Sequence, residues 1–282
     1  FPVFFNSFSP DIRNHIGSPE KFYFGGLGIK LNSEIQLKRN FMVSATYGVS
    51  FVDNFDEKSS DPNSVLPHVR TEIVSYLQAT NNYLTKLQAD YYWSPHKNIY
   101  TRFTGGIFEM MYGGVGAEIM YKPFNKNISL GYEAYKLKRR TYQQKLDFLD
   151  YQVTTNHINL VYFNPSSNIQ IKTSYGNYLA RDKGYTIDLS RKMDNGLQMG
   201  FFFTQTNVSA EDFGEGSFDK GFYFKIPTDL FSKKLSKSYT SFGLKTLTRD
   251  GGQKLNIDNS LFDQINSSTL SDINRGWYEF SD

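Results

Sequence analysis

Residues 115–122, Val-Gly-Ala-Glu-Ile-Met-Tyr-Lys, decide the fold class. Val115, Ala117, Ile119 and Tyr121 fall on one parity, and Gly116, Glu118, Met120 and Lys122 on the other. An extended backbone therefore sets a greasy face against a polar one. The alternation returns in Ile169, Ile171, Thr173 and Tyr175 against Gln170, Lys172 and Ser174, and in Tyr185, Ile187 and Leu189 against Thr186, Asp188 and Ser190. A soluble sandwich also alternates, but its strands centre on about 5–6 residues, whereas tilted membrane-spanning strands need about 9–11. Many segments here reach about ten residues, the spanning length. The pattern predicts an all-β protein, a single antiparallel transmembrane β-barrel with lipid outside and a polar lumen inside.

Composition agrees. Aromatic residues make up 17% of the chain, with 20 Tyr and 25 Phe, as aromatic girdles at both membrane interfaces require. Tyr91, Tyr92 and Trp93, and Phe201, Phe202 and Phe203, fit that role, and an aromatic sheet core is the competing reading. No apolar run approaches the roughly 18 residues of a helical span, and the mean hydropathy of -0.49 reflects alternation. With 31 basic and 28 acidic residues, scattered without a Lys or Arg block, the net charge of +3 gives no nucleic-acid footprint. The absence of cysteine leaves no disulfide framework or thiolate metal site. Residue 1 is Phe, with no charged start and apolar core after it, so a mature chain or a fragment is expected.

Turn residues divide the chain into thirteen strand candidates: 22–31, 41–52, 69–77, 84–93, 99–107, 115–122, 128–137, 153–163, 169–175, 185–191, 197–206, 218–226 and 239–248. A fourteenth, 254–261, alternates more weakly through Leu255, Ile257 and Leu261. Because bacterial single-chain barrels have even strand numbers, fourteen is preferred and twelve is the alternative. Residues 1–282 are read as one barrel domain, with 266–282 as a non-barrel tail.

Compact turns at 94–97, 123–127, 164–168 and 194–196 all follow even-numbered strands, whereas 139–150, 176–183, 207–217 and 249–253 follow odd ones and are longer or charged. The odd end is therefore expected to be extracellular. Segment 53–66 is long yet follows an even strand, so it is either a flexible periplasmic loop or the mark of a miscounted early strand.

On the polar parity stand Arg70, Glu72, Lys86, Asp90, Arg102, Glu118, Lys122, Glu133, Lys172 and Asp188. Mixed charges inside a barrel either pair across the lumen or line water, because an unpaired buried charge is costly. The odd connections bring together Arg139, Arg140, Arg181, Asp182, Glu215, Asp219, Lys220, Arg249 and Asp250, predicting an ion-paired rim that fixes the 213–221 loop. Carboxylates in 207–221 match no EF-hand spacing, and a solvated or lumen-packed loop is the simpler reading. His15, His68, His96 and His157 are isolated in sequence. No metal, no cofactor and no catalytic residue is expected. Gly25-Gly26-Leu27-Gly28 and Gly113-Gly114-Val115-Gly116 lie within strands, which favours bending or close approach over phosphate binding.

Six blocks carry a resemblance: Leu66-Pro67-His68-Val69-Arg70-Thr71, Gly113-Gly114-Val115-Gly116-Ala117-Glu118, Tyr178-Leu179-Ala180-Arg181-Asp182, Phe213-Gly214-Glu215-Gly216-Ser217-Phe218-Asp219-Lys220-Gly221, Ile226-Pro227 and Leu247-Thr248-Arg249-Asp250-Gly251-Gly252. In these the chain resembles the YjbH family of outer-membrane proteins, including the GfcD-type members of group 4 capsule clusters. The resemblance implies a non-enzymatic part in secreting an exopolysaccharide or capsule across the outer membrane of a Gram-negative bacterium. It also implies that this is the C-terminal barrel of a longer protein. The partners expected are outer-membrane lipid, the exopolysaccharide, envelope lipoprotein and periplasmic proteins of the same cluster, and the N-terminal part of the same polypeptide. A structural anchor that docks envelope proteins, or an outer-membrane hydrolase, is the rival.

Overall fold

The computed structural model describes residues 2–16, 21–58, 64–124, 126–193, 195–209, 212, 218–227, 239–245 and 250–266. Thirteen antiparallel strands form one sheet in strict chain order. They are β1 (Val3–Ile16), β2 (Tyr23–Lys38), β3 (Phe41–Asp53), β4 (Asn82–His96), β5 (Ile99–Ile107), β6 (Tyr112–Tyr121), β7 (Ile128–Arg140), β8 (Phe148–Asn164), β9 (Ile169–Asn177), β10 (Lys183–Lys192), β11 (Gln198–Thr206), β12 (Asp219–Pro227) and β13 (Tyr239–Lys245). Among the described residues two short α-helices, α1 (Ile73–Gln78) and α2 (Leu261–Asn266), and a 3-10 turn at Phe55–Glu57 lie outside the sheet. Among the described residues no pairing joins β1 to β13, and no helix is long and apolar enough to cross a membrane. The sheet is rolled, because one interior cavity touches residues from β2 round to β12.

Polarity is inverted relative to a water-soluble protein. On β8, Ile158, Leu160 and Tyr162 are exposed while Thr155, His157 and Asn159 are buried. On β6, Val115 and Ile119 are 60% and 46% exposed, whereas Glu118 is 7% exposed. Asp90, Arg102 and Gln88 are wholly enclosed. A sheet that hides charge and presents Leu, Ile and Phe has the polarity expected of one whose outer face meets hydrocarbon.

The strand count differs from the expected fourteen for three separate reasons. Strand β1 was not expected, because Phe4 and Phe5 occupy both parities and Pro10 interrupts the run; proline is tolerated because β1 lies at an edge of the sheet. Segment 69–77 is not a strand: it contains α1, whose Val74 and Tyr76 are buried. Segment 254–261 is extended but unpaired and leads into α2. Moreover, 54–81 follows β3, an odd strand, so the long segment that looked out of place lies at the same end as the other long connections. Residues 267–282, most of the expected tail, lie outside the described residues.

The glycine blocks mark close approach. Gly106 and Gly114 pair across β5 and β6 with φ of +130° and +157°, and a Cβ on either would collide with a neighbouring strand's carbonyl, Leu87 or Lys136. At Gly116 a Cβ would strike the Tyr135 ring.

Face polarity gives the first prediction. Arg in place of the outward Leu160 should lower the unfolding free energy in lipid vesicles by about 2–4 kcal/mol, the cost of Arg on a lipid face near the midplane. Lys172→Arg, on the inner face, should change it little. Equal tolerance of Leu160→Arg and Lys172→Arg in urea titrations would remove the lipid-facing assignment.

Candidate functional site: a lumen filled by its own chain

Two segments occupy the interior. The connection from β3 to β4 folds inward over residues 64–79, and the chain after β13 runs through the interior over 250–266. We call them the plug and the strap. Val69 and Tyr76 of the plug pack in an apolar cluster with Phe108, Tyr112, Leu137 and Leu179, near the ends of strands that carry the long connections; Leu255 and Ile257 of the strap lie against it.

The strap is extended yet joins no ladder, so its backbone groups need other partners. Side chains of the wall supply them. Arg102 Nη2 donates to the Asp258 carbonyl at 2.7 Å, Gln88 Nε2 to the same carbonyl at 3.1 Å, and Tyr92 Oη to the Asn259 carbonyl at 2.8 Å. Glu118 Oε2 accepts from the Leu261 amide at 2.7 Å. Arg102 is itself held between Asp90 Oδ1 at 2.8 Å and Glu118 Oε1 at 2.5 Å, and Tyr135 Oη donates to Glu118 at 2.5 Å. Lys86 pairs with Asp258 at 2.7 Å. Lys254 Nζ lies 3.2 Å from Glu133, whose carboxylate also faces His157 Nδ1 at 3.3 Å. Burial depresses the Lys254 amine, and Glu133 opposes that shift.

Asp250 latches plug to strap. Its carboxylate accepts from the Arg70 amide at 2.7 Å and from the Thr71 amide and hydroxyl, both at 3.0 Å. Arg70 then reaches Glu109 at 2.8 Å and the Lys254 carbonyl at 2.9 Å. Glu72 pairs with Arg139 and accepts from Tyr142, while Tyr76 Oη donates to the Arg140 carbonyl at 2.5 Å. Asp182 accepts from the Gly252 amide at 2.7 Å; burial raises its carboxyl pKa, and that amide opposes the rise.

The expected lumen charges are thus on the inside, with two corrections. Arg70 and Glu72 belong to the plug rather than to a strand, and Lys122 sits just beyond the end of β6. Lys172 lies over the Phe262 ring at 4.1 Å, and Asp188 accepts from Tyr223 at 3.0 Å.

The rim differs more. Arg139, Arg140, Arg181, Asp182, Asp219, Lys220 and Asp250 do gather at the end with long connections, whereas Glu215 and Arg249 lie outside the described residues. Apart from Arg139, which pairs with Glu72 of the plug, the described contacts of these residues are not an Arg-to-carboxylate girdle. Arg140 donates to the carbonyls of Glu109, Met110, Gln144 and Lys145; Arg181 donates to the Gln152 carbonyl and covers the Tyr151 ring; Lys220 covers the Phe218 ring; Asp219 accepts from Gln253. Charge sits there to satisfy loop backbone, which a buried turn needs more than a second charge. Residues 109, 142, 253 and 258, all part of this network, were missed; the alternation around Asp258 was the available signal. No group of three metal-binding side chains occurs among the described residues.

Arg102 supplies the test of this network. Arg102→Leu leaves Asp90 and Glu118 buried without their cation and should destabilise the protein by about 3–5 kcal/mol. Combined with Glu118→Gln the loss should be less than additive. Hydrogen exchange at the Leu261 amide should rise in both; unchanged exchange there would show that the strap is held by other contacts.

Comparison with known proteins adds the family. A family model described as "Exopolysaccharide biosynthesis protein YbjH" matches residues 2–267. An Escherichia coli (strain K12) protein named "Uncharacterized lipoprotein YjbH" is 35% identical over 270 residues, covering 93% of this chain and 38% of that relative, so the chain spans well under half the relative's length. Among solved structures, the Vibrio cholerae outer membrane protein OmpT in its trimer form is 10% identical with a TM-score of 0.38, over 92% of this chain and 96% of that one. Salmonella typhi OmpF in complex with daunomycin is likewise 10% identical with a TM-score of 0.38, over 89% of this chain and 93% of that one. At those scores neither bears on the assignment, which rests on the family match: the chain belongs to the YjbH family.

Proposed function

We propose that this chain is an outer-membrane β-barrel region that assists export of an exopolysaccharide in a Gram-negative bacterium, without catalysing a reaction. The observation that carries the reading is the rolled sheet's inverted polarity: an apolar outside and a charged inside filled by the chain's own plug and strap. Such a lumen is a path held shut, and passage of a glycan requires the plug to leave. The long connections face the cell exterior and the short turns face the periplasm, following the usual asymmetry of such barrels. Envelope lipoprotein and periplasmic partners, together with the rest of the longer protein, supply the trigger.

The histidine best placed for chemistry is His157. Its Nδ1 faces Glu133, and its Nε2 has no hydrogen-bond partner among the described residues. A second reading, a closed barrel that only anchors envelope proteins, draws on the same packed interior.

Conductance and secretion separate the two. The purified full-length protein should conduct little in a planar bilayer, and Asp250→Ala, which removes three hydrogen bonds to the plug, should raise conductance several-fold. Deleting the gene should lower released exopolysaccharide, with recovery on re-expression. Normal secretion in the deletion strain would sink the export reading and leave the anchor.

A further inference from the structure

The cavity left beside the strap has a chemistry of its own. Its volume is about 770 Å³, within the roughly 300–1,000 Å³ usual for ligand sites. Lys122, Asn168 and Lys192 line it and lie at or next to short turns, so it occupies the end of the lumen opposite the apolar cluster.

Its charges are not all matched. Glu133 is paired with Lys254 and Asp258 with Lys86, while Asp188 accepts from Tyr223 and stands opposite Lys172 across the β9–β10 ladder. Asp263 accepts from Ser260 at the start of α2, and Glu34 faces the same space from β2. Among the described residues Lys122, Lys172 and Lys225 form no contact ion pair within 4.0 Å; Asp188 attracts Lys172 and Lys225 only from beyond that distance. The ammonium groups of Lys172 and Lys225 instead lie over the rings of Phe262 and Tyr223, at 4.1 and 6.0 Å. A ring face stabilises a cation only in part and offers no lone-pair acceptor to its remaining N–H bonds. Buried His157, with its unpartnered Nε2, lines the same cavity.

We propose that this cavity binds an acidic saccharide, a sugar bearing a carboxylate. The anionic substituent bridges the ammonium groups of Lys172 and Lys225 through charge-assisted hydrogen bonds, and the apolar face of the sugar ring lies against the aromatic rings. The assignment deepens the export reading by naming the substrate class, and it rests on that reading. It places recognition at the short-turn end, where a glycan arriving from the periplasm first meets the lumen. Lumen walls of low dielectric strengthen such attraction relative to open water.

The test is calorimetric titration of the full-length protein in detergent with trigalacturonate, maltotriose and inorganic phosphate as probes. Trigalacturonate should bind at least ten-fold more tightly than maltotriose. Lys172→Gln and Lys225→Gln should each weaken it about five-fold or more, with the unboiled mobility of the folded barrel on gels unchanged. Equal affinity for maltotriose overturns acidic selectivity. Displacement of trigalacturonate by equimolar phosphate overturns a saccharide site in favour of a general anion site. No binding of any probe, in a protein whose deletion still lowers secretion, overturns this inference while the export reading stands; secretion that survives deletion removes the export reading itself.

Discussion

Arg102 is fully buried, and the interior depends on what it touches. A polar face turned inward must satisfy its own charges, because a buried guanidinium without partners costs several kcal/mol. Asp90 and Glu118, on the two flanking strands, meet it at 2.8 and 2.5 Å, and its Nη2 also donates to the Asp258 carbonyl. One side chain thus joins three strands to a segment that belongs to none of them. The same logic runs outward through Tyr135 to Glu118 and through Glu118 to the Leu261 amide. Removing any one member leaves the others buried and unmatched, which is why such networks respond as units.

The strap illustrates how an extended chain survives without a ladder. In a sheet, neighbouring backbones supply the hydrogen bonds; inside this lumen Arg70, Gln88, Tyr92, Arg102 and Glu118 supply them. Because these bonds come from side chains rather than from a ladder, the strap can leave the wall without any two strands unpairing. In the proposed role, that is the property a displaceable lumen segment needs, whereas the strands themselves stay paired.

The sequence blocks that carry the family resemblance meet at this junction. Arg70 and Thr71 take Asp250, Asp182 takes the Gly252 amide, Leu179 donates its amide to the Gln253 carbonyl, and Asp219 accepts from Gln253. Glu118, from the glycine-rich block of β6, fixes the other end of the strap. Residues up to 180 positions apart are thereby brought within hydrogen-bonding distance. The rim expected as an ion-paired girdle keeps the Arg139–Glu72 pair and is otherwise a set of latches on loop backbone.

Alternation by itself determined that this chain is a sheet with one greasy and one polar face, and which face each of Lys86, Asp90, Arg102, Glu118, Glu133, Lys172 and Asp188 occupies. Side-chain parity is a property of any extended backbone, so it is readable without a partner. For that reason it could not tell a strand from the strap: 254–261 alternates because Leu255 and Ile257 meet the apolar cluster while Lys254 and Asp258 meet the charged wall. It also could not tell a strand from α1, because a helix of six residues is too short for a period of 3.6 to separate from one of 2. Which segments pair, which enter the lumen and which carboxylate holds which amide were decided only in three dimensions. Those choices depend on the rolled sheet enclosing a volume that charged side chains must share with the backbone they leave unpaired.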